Sequence, residues 1–130
     1  MERVSKQVIV IRKDLNMRKG KMVAQGAHAS LAAVLNRMKG SREERVLHIE
    51  EESALDNWIN GRFTKICVSV NSEAELLEIY AKAKDKGLLC SLITDAGLTE
   101  FNGVPTKTCC AIGPAWSDEV DEITGKLQLL

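Results

Sequence analysis

Four short apolar runs constrain this chain more than any other feature: QVIVIR (7–12), TKICVSV (64–70), LLCSLIT (88–94) and TCCAIG (108–113). Each is too short for a buried helix and rich in Val, Ile or Cys, which reads as a strand. They are largely continuous rather than alternating, as expected of strands covered on both faces.

The segments between them carry helical spacing. From Lys21 to Met38 the apolar positions Met22, Leu31, Val34, Leu35 and Met38 recur at helical intervals, and Gly40 is expected to close that helix. Ser41 with Glu44 has the form of a capping box, predicting an acidic amphipathic segment reaching Trp58 with a break near Glu50. Ser72 with Glu75 opens a second such helix, EAELLEIYAKAKDK, ended by Gly87. Pro114 is expected to end the fourth strand. Ser117 is expected to cap a short last helix whose first turn holds Asp118 and Glu119, and KLQLL to form an edge strand. Strands alternating with helices predict an α/β fold: a single three-layer α/β/α domain over residues 1–130, with a mixed sheet of four to five strands.

Composition removes several function classes. Aromatic residues make up only 4% of the 130 residues, too few for a platform that stacks single-stranded bases. No apolar run is long enough to span a bilayer, and the first residues lack the long apolar stretch of a signal peptide, so a cytoplasmic protein without membrane contact is expected. The dinucleotide fingerprint GxGxxG and the Walker phosphate loop are missing after the first strand. Cys67, Cys90, Cys109 and Cys110 all lie in strand-like runs without the spacing of a zinc knuckle, so core thiols, no metal and no cofactor are expected.

Net charge is zero, yet residues 1–40 hold nine Lys and Arg against Glu2 and Asp14, a balance of +7, offset by −7 over the remainder. Such a basic pole can steer an anionic partner. It is densest in MRKGKMVAQGAHAS (17–30), where Arg18, Lys19 and Lys21 stand at a helix start that already carries partial positive charge. That placement costs stability unless something negative binds there. Along the same helix Lys21, Gln25, His28 and Ala32 form one stripe, while the small residues Ala24, Gly26, Ala27, Ala29 and Ser30 are expected to lie against the sheet. A lone His on a helix also has a purely structural reading.

The second group of reactive side chains follows the third strand. Asp95 ends that strand, where open α/β sheets gather their ligands. Ala96 and Gly97 leave the backbone bare, and Thr99, Thr106 and Thr108 add hydroxyls. A polar turn in which Asp95 caps backbone amides is the plain alternative. Together with the cations and His28, the set is suited to binding a phosphate-bearing ester and positioning a water.

From QVIVIRKDLNMRKGKMVAQGAHAS through SLITDAGLTEF and TKTCCAIGP to ITGKLQLL, the chain resembles the type 2 peptidyl-tRNA hydrolases. Their linked motifs are a KGK loop, an A-Q-x-x-H-A helix, a DAG-x-T loop and a T-x-T-x-x-x-IGP strand. The resemblance assigns Lys19, Gly20 and Lys21 to KGK, Gln25 and His28 to the helix, Asp95 and Thr99 to the DAG loop, Thr106 and Thr108 to T-x-T, and Lys65 to a lysine common at the second strand's start. It implies a metal-free, cofactor-free hydrolase, often a homodimer, that cleaves the ester between a peptide and the terminal ribose of tRNA. Lys19, Lys21, His28, Asp95, Thr99 and Thr108 then become the candidate catalytic set. Arg18, Lys19, Gly20, Gln25, Lys65 and Thr106 become the candidate tRNA-binding set, the cations receiving phosphates. Either Asp95 or His28 is expected to act on the attacking water. Leu98 stands where the family usually has arginine, the FNGVPT turn is one residue longer, and residues 40–60 are unusually acidic. A tRNA- or phosphate-binding adaptor without catalysis, and a hydrolase for another RNA-linked ester such as a mischarged aminoacyl-tRNA, are the competing functions.

Overall fold

The computed structural model describes residues 3–130. Its elements run β1 (Ser5–Arg12), α1 (Lys19–Leu35), β2 (Lys39–Gly40), β3 (Arg45–Val46), α2 (Ala54–Ile59), β4 (Lys65–Val70), α3 (Glu73–Asp85), β5 (Cys90–Asp95), β6 (Thr106–Trp116) and α4 (Ser117–Thr124). The main sheet has the order β4-β1-β6-β5. β1 is parallel to β4, and β6 is antiparallel to both β1 and β5. The sheet is therefore mixed, and β1, β4 and β5 all end on the same rim.

Alternation along the central strands divides the core. Val8, Val10, Cys110 and Ile112 pack with Leu76, Ile79 and Ala83 of α3 and Val120 of α4. Ile9, Ile11, Cys109 and Ala111 pack with Ala29 and Ala33 of α1 on the opposite face. The adjacent thiols thus point to opposite sides of β6, as the two-residue strand period requires. One polar side chain is fully enclosed as well: Gln7 donates from Nε2 to Ser30 O and Gly113 O, both at 3.1 Å, and accepts from Ser30 Oγ. Every polar group it brings inside is matched.

The capping signal at Ser72 holds. Ser72 Oγ accepts from Glu75 N at 3.1 Å, and the Glu75 carboxylate returns to Asn71 N. Gly87 follows the helix end as expected. The same signal at Ser41 does not start a helix. Ser41 Oγ accepts from Glu44 N and Ser41 N donates to Glu44 O, which closes the turn of the β2–β3 hairpin. Gly40 lies inside that hairpin at φ +133°, five residues beyond the end of α1, where an added Cβ would fall 2.1 Å from Glu44 O. Ser and Asp suit turns as well as caps, and here the turn prevails. The true start of the next helix is Ser53, whose hydroxyl accepts from Asp56 N.

Three further expectations change. β6 continues through Pro114 to Trp116, because the β1 ladder shifts register between Lys6 and Val8 and so asks for no N–H there. Ser117 is the first helical residue of α4, with Trp116 at the cap and no side-chain capping bond, although Asp118 and Glu119 do occupy the first turn. Cys67 is exposed rather than in the core. The KLQLL tail makes one antiparallel bridge, Leu129 to Val68, along the free edge of β4. Among the described residues no helix is long and apolar enough to cross a membrane.

Of the small residues in α1, Gly26, Ala29 and Ala33 face the sheet while Ala24 and Ala27 face away. A Cβ built on Gly26 would meet only Ile9 Cγ2, at an ordinary 3.6 Å. Close approach therefore does not require that glycine, and Gly26→Ala is expected to stabilise the protein by about 0.5–1 kcal/mol, read as a raised denaturation midpoint. A lowered midpoint would show that α1 lies closer to β1 than this contact implies.

Candidate functional site

The site forms where the rim shared by β1 and β5 meets the first turn of α1. Asp95, the last residue of β5, pairs with Thr106, the first of β6. The loop that follows turns at Gly97 with φ +82°, and a Cβ there would fall 2.2 Å from Val104 O. Only glycine allows this crossing. It lets Gly97 N donate to Asp95 Oδ2 at 2.8 Å, while Gly103 N closes the loop on Gly97 O.

The other carboxylate oxygen faces α1. Asp95 Oδ1 accepts from Lys21 Nζ at 2.9 Å and from Gln25 Nε2 at 3.2 Å. Lys21 Nζ also donates to Thr99 Oγ1 at 2.9 Å and lies 5.7 Å from the centre of the Phe101 ring. Behind them Thr108, fully buried, donates its hydroxyl to Gln25 Oε1. That bond fixes which end of the Gln25 amide faces Asp95. The resulting chain runs from Thr108 through Gln25 to Asp95, then through Lys21 to Thr99. The Lys21 hydrogen bond, helped by the Gly97 amide, holds the Asp95 carboxyl below the usual carboxylate range.

Counting donors and acceptors shows what remains open. A carboxylate offers about four acceptor positions and an ammonium three donors. Three acceptor positions of Asp95 and two donors of Lys21 are used, so one acceptor on Oδ2 and one N–H of Nζ are left on two side chains joined at 2.9 Å through Oδ1. A water on Oδ2 and a developing negative charge near Nζ are what such a pair accommodates.

The structure sorts the residues expected from sequence. Lys21, Asp95 and Thr99 come together. Gln25, expected to meet substrate, is only 2% exposed, and Thr108, expected to act on it directly, is fully enclosed. Both support Asp95 from behind instead. His28 lies one turn further along α1, exposed, and takes part in none of these hydrogen bonds. Thr106 donates to Val104 O at 2.8 Å and so shapes the loop. The three cations at the helix start are partly answered within the chain. Arg18 pairs with Glu100 at 2.8 Å and Lys21 with Asp95, while Lys19 and Gly20 stand exposed. Glu100 and Phe101 were not singled out from sequence. Their position directly after Thr99 was the available signal.

Lys65 is placed elsewhere. It opens β4, opposite Gln7, on the far edge of the sheet from β5 and at the other end of its strands. Three strand spacings, about 14 Å, separate the two edges. Its ammonium donates to Phe63 O at 3.1 Å and sits over the Phe63 ring, 3.2 Å from the centre, where burial lowers its pKa.

Neither buried thiol suits nucleophilic chemistry. Burial pushes Cys109 up to about 11 and raises Cys110 further, leaving both protonated near neutrality. Among the described residues, no three His, Cys, Asp or Glu side chains converge in a way that would hold a metal ion.

Comparison with known proteins shows the family of the chain. The sequence model of the family described as Peptidyl-tRNA hydrolase PTH2 matches residues 5–130. A peptidyl-tRNA hydrolase of Methanocaldococcus jannaschii is 46% identical over 125 residues, covering 96% of this chain and 99% of its own length. Peptidyl-tRNA hydrolases of Methanococcus maripaludis and Methanopyrus kandleri are 44% and 42% identical, each over 95% or more of both chains. With the match spanning nearly every residue, including both segments that build the rim, the chain belongs to the peptidyl-tRNA hydrolase PTH2 family.

Proposed function

We propose that this protein hydrolyses peptidyl-tRNA, cleaving the ester between the peptide and the terminal ribose to release free peptide and reusable tRNA. The observation that carries the reading is the open acceptor of Asp95 beside the open donor of Lys21. Asp95 holds a water on Oδ2 against the ester carbonyl. As the water oxygen bonds to carbon, charge grows on the carbonyl oxygen, where Lys21 stabilises it. The carbon–ribose oxygen bond then breaks, the ribose oxygen takes up a proton, and the peptide leaves as a carboxylic acid. Thr99 holds the ammonium in place, while Gln25 and Thr108 keep the carboxylate from turning away.

Two considerations bear on which group takes the water's proton. Contact favours Asp95, since His28 takes part in none of the hydrogen bonds that join the cluster. Basicity favours a histidine, because a carboxylate held below its usual range is a weak base and imidazole titrates near neutrality. The reading also carries a cytoplasmic location and the homodimer that the resemblance implies.

Turnover of an N-acylated aminoacyl-tRNA beside its free-amine counterpart tests the function. A peptidyl-tRNA hydrolase cleaves the first and spares the second. An adaptor cleaves neither, and a hydrolase for mischarged tRNA takes the free amine.

Asp95→Asn, which removes charge at constant shape, is expected to lower kcat by about a hundredfold to ten-thousandfold with little change in tRNA affinity. His28→Ala gives a comparable loss if histidine is the base and a smaller one if it only positions substrate. Near-normal turnover in both folded variants would end this assignment.

The pH profile separates the two bases. Because the folded pKa of Asp95 is depressed, its charge, and any stability drawn from the Lys21 pair, persists from neutrality downward and is lost only as pH falls through that depressed value. With Asp95 as base, kcat/KM stays flat from about pH 7 to about pH 5. An acidic limb near neutrality that vanishes in His28→Ala assigns the proton to histidine.

Lys19→Ala and Lys65→Ala are each expected to weaken tRNA binding and to lower the slope of log K against log salt by about one unit or slightly less. The two lysines lie at opposite ends of the sheet, so the second variant reports whether tRNA reaches that far. An unchanged slope returns the residue concerned to solvated surface.

A further inference from the structure

α1 turns an uncharged face to solvent. From Met22 to Leu35 it holds no Asp, Glu, Lys or Arg, in a chain of which 28% is charged. At that frequency about four charges would be expected, and a surface helix ordinarily places them on its outer side. Here Gln25, Gly26, Ala29 and Ala33 take the sheet side. The outer side presents Val23 at 73% exposure, Leu31 at 60% and Leu35 at 37%, with Ala24, Ala27 and His28 exposed between them. An outer helix face without charge and with three large apolar side chains departs from the ordinary amphipathic pattern of a surface helix.

Its position specifies the occupant. The face begins one residue after Lys21, whose ammonium holds Asp95, and runs away from that pair for about 20 Å at 1.5 Å per residue. Arg18 and Lys19 form a basic flank at the start of the same helix, with Lys19 one turn before Val23. We propose that the peptide of the substrate lies along this face, from the ester carbonyl at Lys21 and Asp95 toward Leu35, while the tRNA occupies the basic flank. The inference rests on the function proposed above and deepens it.

Three arguments select the peptide over other occupants. RNA phosphates seek cations, and from Met22 to Leu35 the helix carries no Lys or Arg. A second copy of the chain would need about 800 Å² on each partner for a stable dimer, whereas a strip 20 Å long and about 10 Å wide supplies only about 200 Å². An extended peptide, at about 3.4 Å per residue, covers the strip with about six residues. Apolar contact is also non-directional, so the face accepts peptides of differing sequence, and without charge it repels neither acidic nor basic ones.

The test compares two substrates on the same tRNA with the same ester-linked residue, one N-acetylated and one carrying a six-residue apolar peptide. For the wild-type protein KM is expected to be about tenfold lower with the longer peptide. Val23→Ser/Leu31→Ser removes most of that advantage, leaving kcat and the KM of the acetylated substrate unchanged. Leu31→Met retains it. Both positions are exposed, so folding should survive, with matching thermal unfolding as the check. Equal KM ratios in wild type and folded double variant would overturn the inference and leave the proposed function standing. Absence of turnover of either substrate by the wild type overturns both. Sedimentation equilibrium supplies the remaining arm: a wild-type dimer that the double variant dissolves would give the face to a second copy and overturn the assignment.

Discussion

β6 is the strand on which everything else is hung. With β1 it is one of the two central strands of the main sheet, and it is paired to β1 on one side and to β5 on the other. Its residues from Thr108 to Ala115 are buried without interruption. A strand in that position can carry no exposed charge and must be apolar on both faces, because a helical layer covers each. Cys109 and Ala111 then serve the α1 core, and Cys110 and Ile112 serve the core under α3 and α4. The two layers are thus held in fixed relation by β6 together with β1, whose Val8 and Val10 face one core and Ile9 and Ile11 the other. The amino end of β6, Thr106 to Thr108, reaches the rim at Asp95.

That dependence explains why the polar cluster is ordered. Thr108 is simultaneously a core residue and the anchor of Gln25, so the orientation of an amide on α1 is set by the sheet rather than by solvent. Gln25 and Lys21, one helical turn apart, then converge on one oxygen of Asp95, while the backbone of the Gly97 turn takes the other. The buried polar groups are all partnered, which is the condition under which such a network adds rigidity instead of cost. The Lys21–Asp95 pair is only partly exposed, so solvent screening is reduced there without the full desolvation penalty of a deeply enclosed ion pair. A carboxylate pinned in this way has few ways to move when a substrate arrives, and preorganisation of that sort is what electrostatic catalysis requires.

The excess of cations at the start of α1 takes on a different meaning in the fold. Counted along the chain, Arg18, Lys19 and Lys21 are a concentration of positive charge facing a helix dipole. In three dimensions Lys21 is committed to Asp95 and Arg18 to Glu100, whose carboxyl the guanidinium holds below its ordinary range. The helix start is therefore less positive than the count suggests, with Lys19 its cation outside these two pairs. Leu98, 85% exposed in the neighbouring loop, adds no charge there.

How much of this was legible without coordinates follows from the range of each interaction. The four strands, the caps at Ser72 and Gly87 and the acidic first turn of α4 depend on residues within a few positions of one another, and local pattern was enough to read them. The grouping of Lys21, Asp95 and Thr99 was legible through motif resemblance, although Lys21 stands more than seventy positions before the other two. The hairpin at Gly40–Ser41 was misread because a serine followed three residues later by glutamate satisfies a turn as readily as a helix start, and the choice falls to packing. The roles of Gln25 and Thr108 could not be read from the chain, since burial is a property of what lies opposite. The remoteness of Lys65 follows from the order β4-β1-β6-β5, which sends β4 and β5 to opposite edges. Sequence by itself determined the elements, the α/β class and the chemical inventory, because period, propensity and side-chain type are local. Tertiary structure alone decided which of those side chains face one another, because strand order and helix rotation are set by how the two cores close around β6.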